Sequence, residues 1–253
     1  MQHRPTVAEI DLSALAHNLR EVRRLASGRG VLAVVKADAY GHGAVEVARA
    51  LEKAGVEMFG VALVEEGVIL REAGIKTPVL VLGGVFEFQA DDLVKYDIAP
   101  TLFTFAQAEA FSAAAMQAGT RMAAHVKVDT GMGRVGMPPD EAVPFIKLIS
   151  GFPGIELQGI MTHLADVGGR DKSFSEFQIN EFRVVLERLE DDGITFPFVH
   201  AAGSAAIMEF NPAHFNMVRP GIMLYGCYPS EHMMGLLTLK PVMTLKTHVM
   251  HIK

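Results

Sequence analysis

One lysine stands at the end of a continuous apolar run, immediately before a glycine-rich turn. Residues 31–35 read VLAVV, and Lys36 follows them and precedes ADAYGHG. Burial at such a position strips water from the ammonium group and so favours the neutral amine. Neutral lysine amines form Schiff bases with aldehydes. Lys36 is therefore the first candidate catalytic residue, and a lysine that reaches from a strand end into solvent is the alternative.

The turn after this lysine has the residue types of a ligand-binding loop. Gly41 and Gly43 permit close approach of a backbone to a ligand, and Tyr40 offers a hydroxyl on a rigid ring. We therefore expect a bound group near Lys36 and Tyr40.

Strand-like and helix-like segments alternate along the chain. Helical spacing of apolar residues predicts helices at 44–54, 65–73, 107–118, 141–149 and 174–191, and each is followed within two residues by glycine. This alternation predicts an α/β fold, namely a (β/α)8 TIM-type barrel. A doubly wound open sheet is the alternative, but no G-x-G-x-x-G lies at a strand-to-helix turn. The eight predicted strands are 31–35, 58–62, 79–82, 98–101, 122–128, 157–162, 198–201 and 217–219.

Such a barrel collects its functional side chains at the carboxyl ends of its strands. Lys36 follows the first predicted strand, His163 the sixth and Ser204 the seventh, while residues 219–222 follow the eighth. We therefore expect all of them to face one mouth of the barrel.

Composition excludes several classes of function. The chain has 253 residues, a formal net charge of -6 and no long basic patch, which argues against nucleic acid binding. No apolar stretch is long enough to span a bilayer, and the N-terminus lacks a signal peptide, so a cytoplasmic protein is expected. Cys227 is the single cysteine; it has no partner for a disulfide or a metal site and is expected to be buried.

Several separate motifs share an order with one known family. They are RPTVAEIDLSALAHNLR at 4–20, KADAYGHGA at 36–44, KVDTGMGRVG at 127–136, MTH at 161–163, HAAGSAA at 200–206 and VRPGIMLYG at 218–226. Together they resemble the alanine racemase family, pyridoxal 5'-phosphate (PLP) enzymes of fold type III. The resemblance runs from Arg4 almost to the C-terminus and implies interconversion of L-alanine and D-alanine, the latter for peptidoglycan.

The resemblance assigns cofactor contacts. Lys36 matches the lysine that forms the internal aldimine and then acts as the base on the D-isomer. Ser204, the amides of Gly221 and Ile222, and the Tyr40 hydroxyl match the phosphate anchor. By residue type alone, Ser204 is equally well an N-cap of the short helix SAAIMEF, and Gly221 a turn glycine after Pro220.

Arg219 matches the arginine that meets the pyridine nitrogen of the cofactor. A guanidinium donates a hydrogen bond there without releasing its proton, which disfavours transamination. His163 matches the histidine beside the cofactor ring within the same network. A surface salt-bridge arginine and a purely structural histidine are the alternatives.

Lys127 and Arg134 match a carbamylated lysine and the arginine that it orients toward the cofactor and the substrate carboxylate. An ion pair between Lys127 and Asp129, or with another carboxylate, is the alternative. At position 203, where the family usually has asparagine, this chain has Gly203, so one polar contact near the phosphate is missing or replaced by backbone.

The resemblance also implies a domain organisation. Residues 11–235 match the PLP-binding barrel, whereas 1–10 and 236–253 match strands of a C-terminal β-domain that family members continue beyond this length. That domain supplies, from the partner subunit, the tyrosine base that acts on the L-isomer. We therefore expect a homodimeric parent protein, and a 253-residue fragment that is weakly active or inactive and a monomer or weak dimer.

Two other functions stay open from the sequence. One is a stand-alone PLP-binding barrel with a role in cofactor homeostasis. The other is a racemase or decarboxylase for a different amino acid, because alanine is favoured by resemblance only.

Overall fold

Eight parallel strands close into a barrel in the computed structural model, which describes residues 4–253. The strand order around the barrel is β4-β3-β2-β9-β8-β7-β6-β5, and two more strands form a separate sheet. The ring closes where the Val81 N–H donates to the Ala99 carbonyl and the Ala99 N–H to the Val79 carbonyl. The strands are β1 (Val7–Ile10), β2 (Gly30–Val34), β3 (Met58–Val61), β4 (Val79–Val81), β5 (Thr101–Leu102), β6 (Met122–Lys127), β7 (Ile155–Met161), β8 (Phe198–His200), β9 (Met217–Val218) and β10 (Met243–Lys246).

The predicted TIM-type barrel is confirmed, with one strand displaced. The fourth predicted strand spans 98–101, whereas the observed strand β5 comprises Thr101 and Leu102. Pro100 has no N–H to donate, so the segment before it makes only an isolated bridge, between Leu80 and Ala99. The other seven predicted strands coincide with observed strands to within two residues at either end.

Helices occupy the segments between the strands. All five predicted helices are present, and Gly55, Gly74, Gly119 and Gly193 follow theirs with positive φ. Gly151 differs, because its φ is not positive. The helices are α1 (Leu12–Ala26), α2 (Lys36–Gly41), α3 (Ala44–Lys53), α4 (Val64–Glu72), α5 (Ala90–Tyr96), α6 (Phe105–Gln117), α7 (Pro139–Ile149), α8 (Ser173–Asp191) and α9 (Ser204–Glu209).

The apolar run before Lys36 is buried on both faces of the sheet. Val31, Ala33 and Val35 belong to the large cluster that includes the helices. Leu32 and Val34 belong to a second cluster with strand residues only, inside the barrel. Side chains alternate along a strand, so a strand covered on both faces must be apolar at every position.

The first and last strands pair with each other outside the barrel. β1 runs antiparallel to β10, with Val7 opposite Lys246 and Ile10 opposite Met243. The sequence segments 1–10 and 236–253 therefore do meet, although residues 1–3 lie outside the described part. The division of the chain into two domains stays a prediction.

Two further observations concern the surface. Cys227 is exposed, not buried as expected, because it follows Gly226 in a surface turn. In the part of the chain that the structure describes, no helix has both the length and the apolar character needed to cross a bilayer.

A buried asparagine joins the barrel to the segment that leads to β10. The Asn18 side-chain amide on α1 donates to the carbonyls of Leu224 and Lys240, and its oxygen accepts from the Lys240 N–H. Gly226 has a φ of 88°, and a Cβ there would collide with the Lys240 carbonyl oxygen. Only glycine fits at position 226, where the chain passes this close to the backbone of Lys240.

We predict that Gly226→Ala lowers the free energy of unfolding by about 2–4 kcal/mol, because it adds backbone strain and overpacking. Gly74→Ala is the matched control, since Gly74 has a φ of 87° but open space around the new methyl group. That control should lose about 1 kcal/mol from strain alone. Urea unfolding measures both, and equal losses would contradict the close approach at Gly226.

Candidate active site

One cavity of about 550 Å³ opens at the carboxyl ends of the barrel strands. Its lining brings together all nine residues that the sequence singled out: Lys36, Tyr40, Lys127, Arg134, His163, Ser204, Arg219, Gly221 and Ile222. They come from the ends of five different strands. The expected convergence on one mouth of the barrel is therefore observed.

The backbone after Lys36 is left-handed. Lys36–Gly41 forms one helical turn, α2, in which Ala37, Asp38, Ala39 and Tyr40 have φ between 51° and 55°. A left-handed conformation costs a residue with a Cβ about 1–2 kcal/mol relative to a right-handed one. Four consecutive residues of this kind persist only if surrounding contacts hold them.

The left-handed turn carries Tyr40 against the loop after β9. The Tyr40 ring packs 5.1 Å from the ring of Tyr225, whose hydroxyl donates to the Val34 carbonyl. A Cβ at Gly221 would lie 2.7 Å from the Tyr40 hydroxyl oxygen. Because the φ of Gly221 is -115°, glycine is required here by the contact and not by a positive φ.

Ser204 does not cap its helix. Gly203 is the N-cap of α9 and Ser204 is its first helical residue. The Ser204 Oγ accepts from the Gly221 N–H at 3.0 Å and from the Met223 N–H at 3.4 Å. The N-cap alternative is therefore wrong, and the hydroxyl hydrogen of Ser204 remains available to donate. The resemblance predicts that the Gly221 N–H binds the cofactor phosphate. In the structure this N–H donates to the Ser204 Oγ instead.

Arg219 is buried without a carboxylate partner among the described residues, so the surface salt-bridge alternative is wrong. Its guanidinium donates to the carbonyls of Thr162 and Ala201 and to Nδ1 of His163 and of His200. Burial, followed by the charge of Arg134, lowers its pKa to about 9. Arg219 therefore stays protonated at neutral pH.

Two further histidines extend this network into the barrel. His200 accepts from Arg219 at Nδ1, and its Nε2 lies 2.8 Å from Nδ1 of His125. Burial, with the charge of Arg219, lowers the pKa of His125 to about 3 and that of His200 well below its ordinary value. With both rings neutral, His200 carries its proton on Nε2 and donates to His125.

His163 is also held neutral. Burial, and then the charge of Arg219, lowers its pKa to about 3. Since its Nδ1 accepts from Arg219, its remaining proton lies on Nε2.

Lys127 is 3% exposed at the end of β6 and makes no ion pair in residues 4–253. Desolvation, followed by the charges of Arg219 and Arg134, lowers its pKa to about 8. The expected alternative, a pair with Asp129, is wrong because the Asp129 carboxylate accepts from four backbone N–H groups of its own loop, residues 131–134.

This Asp129 loop presents Arg134, whose side chain is exposed at the cavity. Asp129 therefore shapes the loop and forms no ion pair with Lys127 in the described residues. Sequence reasoning gave Asp129 only the alternative role of an ion pair with Lys127 and gave no role to His200 or His125, although Asp129 and His200 both lie inside the motifs named above. An acidic residue followed by a glycine-rich run is the pattern of a carboxylate that binds its own loop.

The charge of the cavity is one-sided. Lys36, Lys127, Arg134 and Arg219 line it, against one acidic residue, Asp166, whose carboxylate accepts from the Gly169 N–H. Cationic side chains that have no carboxylate partner in a partly dry cavity attract anionic ligands. The site therefore suits a ligand with phosphate and carboxylate groups.

Comparison with known proteins gives one consistent result. The family model "Alanine racemase, N-terminal domain" matches residues 10–229. An alanine racemase from Desulforamulus reducens is 46% identical over 252 residues, covering 98% of this chain and 68% of the relative. The relative from Halothermothrix orenii is 45% identical, and the match covers 66% of its length. The chain thus spans about two thirds of the length of these relatives.

Solved structures agree. The alanine racemase of Clostridium difficile 630 in complex with cycloserine superimposes with a TM-score of 0.97 at 38% identity, covering 100% of this chain and 70% of that one. The Bacillus anthracis alanine racemase with bound L-Ala-P gives a TM-score of 0.90 at 34% identity, covering 97% of this chain and 64% of that one.

The lowered pKa of Lys127 predicts how stability depends on pH. At pH 7 the lysine is protonated in both states, and burial of the charge penalises the folded state. Lys127→Met should therefore raise the free energy of unfolding at pH 7 by up to about 3 kcal/mol. Between pH 8 and 10.5 Lys127 is neutral in the folded protein but still protonated in the unfolded chain. The penalty for burying its charge is then absent, so wild-type stability rises and its difference from Lys127→Met shrinks.

Urea unfolding at pH 7 and pH 10.5 in CO2-free buffer measures this effect. Lys76→Met, at an exposed lysine, is the control and should change stability little at either pH. A Lys127→Met difference that does not depend on pH would contradict the prediction.

Proposed function

Because the chain belongs to the alanine racemase N-terminal domain family, we propose that its cavity binds PLP and serves the interconversion of L-alanine and D-alanine. One observation carries the proposal: Lys36, Arg219 and Ser204 line a single cavity at the carboxyl ends of β2, β9 and β8. From the same family we infer a homodimer that acts in the cytoplasm on alanine.

The residues of the cavity fit PLP. Its phosphate needs hydrogen-bond donors, and the Ser204 hydroxyl is free to donate because its oxygen already accepts from Gly221 and Met223. The Tyr40 hydroxyl lies beside Gly221, where a side chain would fill the space. Lys36 supplies the amine that binds the cofactor's aldehyde carbon. The four cationic side chains match the negative charge of the phosphate.

PLP, when bound, withdraws electrons from the amino acid and so makes its Cα proton easier to remove. In our proposal the Lys36 amine, once released from the cofactor, moves that proton on the D-alanine side. Arg134, exposed at the cavity, binds the substrate carboxylate.

Arg219 would hold its own proton while it donates to the pyridine nitrogen of PLP. With a pKa of about 9 it stays charged at neutral pH and donates a hydrogen bond without releasing the proton. Its fixed contacts with His163, His200 and two carbonyls orient the guanidinium before any ligand arrives. By keeping its proton, Arg219 would leave the pyridine ring of PLP unprotonated and a weaker electron acceptor, which would favour racemisation over transamination.

The first test is the covalent bond at Lys36. We predict that wild-type protein incubated with PLP and reduced with borohydride gains the mass of the reduced cofactor on the peptide containing Lys36. Lys36→Ala should lose this adduct and the visible absorbance band, because no other amine occupies that position. Lys76→Ala, at an exposed lysine, should keep both.

Chiral detection of D-alanine formed from L-alanine then tests turnover. Racemisation that is lost in Lys36→Ala supports the proposal. PLP bound at Lys36 with no turnover, even when the C-terminal region of a family member is supplied in trans, favours a stand-alone PLP-binding barrel. Absence of the Lys36 adduct contradicts both.

We also propose that Lys127 carries a carbamate. Carbamylation joins the neutral amine to CO2 and releases one proton. Because the pKa of Lys127 is about 8, about a tenth of its side chain is neutral at pH 7, a far larger fraction than for an ordinary lysine. The resulting anion would lie among Arg219 and Arg134. We predict a 13C carbamate signal with 13C-bicarbonate that is absent in Lys127→Met; equal signals in the two proteins would contradict it.

A further inference from the structure

Glu66 on α4 contacts the backbone next to the candidate cofactor lysine. Its Oε1 accepts from the Ala37 N–H at 2.7 Å, the first amide after Lys36. Its Oε2 accepts from the Ala62 N–H at 2.7 Å and from the Leu63 N–H at 3.3 Å. One carboxylate thus joins the end of β2 to the loop between β3 and α4.

The bond to Ala37 lies where the chain becomes left-handed. Ala37 is the first of the four consecutive residues with positive φ. At the far end of the turn, the Asp38 carboxylate accepts from the Ala44 N–H at 2.7 Å, at the start of α3. The strained turn is therefore held by one carboxylate at each end, and Glu66 belongs to a different βα unit.

A capping role alone does not account for this geometry. Glu66 is the third residue of α4, and such a residue ordinarily accepts from the N-cap amide, here Leu63. The contact with Ala37, 29 residues earlier, uses the other carboxylate oxygen and adds nothing to the cap. Glu65, adjacent on the same first turn, is exposed and makes no side-chain hydrogen bond in the described residues.

We propose that Glu66 is a positioning residue that holds the left-handed turn and so directs Lys36 and Tyr40 together into the cavity. The inference rests on the proposed function, since it assigns to Glu66 the alignment of the lysine with the phosphate-binding hydroxyl. A turn released from Glu66 would relax toward right-handed φ and withdraw Tyr40 from Gly221.

The discriminating variant is Glu66→Asp. It keeps the charge at the start of α4 and can still cap locally, but the side chain is one methylene too short to reach Ala37. We expect the PLP dissociation constant to rise about tenfold, the usual scale for losing a charge-assisted hydrogen bond. Glu65→Asp is the matched control and should stay within about twofold of wild type.

Ala37→Gly separates positioning from general stability. Glycine at position 37 adopts positive φ without a Cβ penalty and so relieves one of the four strained residues, which offsets the hydrogen bond lost from the turn in Glu66→Asp/Ala37→Gly. We expect the double variant to bind PLP within about threefold of wild type. A defect in the packing of α4 would not be rescued by this change.

Hydrogen exchange of the chain without PLP gives an independent result. Glu66→Asp should increase exchange in peptides covering 36–43 and leave those covering 64–72 unchanged. If wild type does not bind PLP, the proposed function fails, and the exchange result still decides the role of Glu66. The inference is overturned if Glu66→Asp matches Glu65→Asp, if 64–72 loosens equally, or if Ala37→Gly gives no rescue.

Discussion

Closure of a parallel sheet is the constraint on which the site depends. Parallel strands in a ring must all end at the same rim, so residues far apart in sequence, such as Lys36 and Arg219, meet around one cavity. β9, the last strand of the barrel, pairs with β2, the first, and so places the residues after β9 beside Lys36. The bridge between Leu80 and Ala99 completes the ring although Pro100 interrupts the strand there.

The cavity concentrates positive charge that the protein itself does not neutralise. Arg219 is surrounded by carbonyls and neutral imidazoles, and Lys127 is buried without an ion pair in residues 4–253. Burying such charged groups destabilises the fold, and the lowered pKa values of Arg219, about 9, and Lys127, about 8, reflect this cost. An anionic cofactor recovers that free energy on binding, so the same arrangement weakens the fold and favours the ligand.

Backbone strain is placed next to the reactive residue. The left-handed turn after Lys36 is held from outside by Glu66 and from within by Asp38. The adjoining barrel is densely packed, with Ala39 and Val35 buried. A rigid support of this kind keeps a lysine and a tyrosine in a fixed relation to each other.

Sequence by itself determined the barrel, because strand periodicity and helix-ending glycines are local patterns. It also indicated the cavity residues at the strand ends and in the turn after Lys36, whereas Lys127 and Arg134 were assigned by resemblance to the family alone. The tertiary structure alone decided which groups pair. Ser204 binds the Gly221 amide instead of capping its helix, Asp129 binds its own loop instead of Lys127, and Glu66 reaches a backbone amide 29 residues earlier. A hydrogen bond depends on distance and angle between segments brought together by folding, and local residue patterns do not encode these.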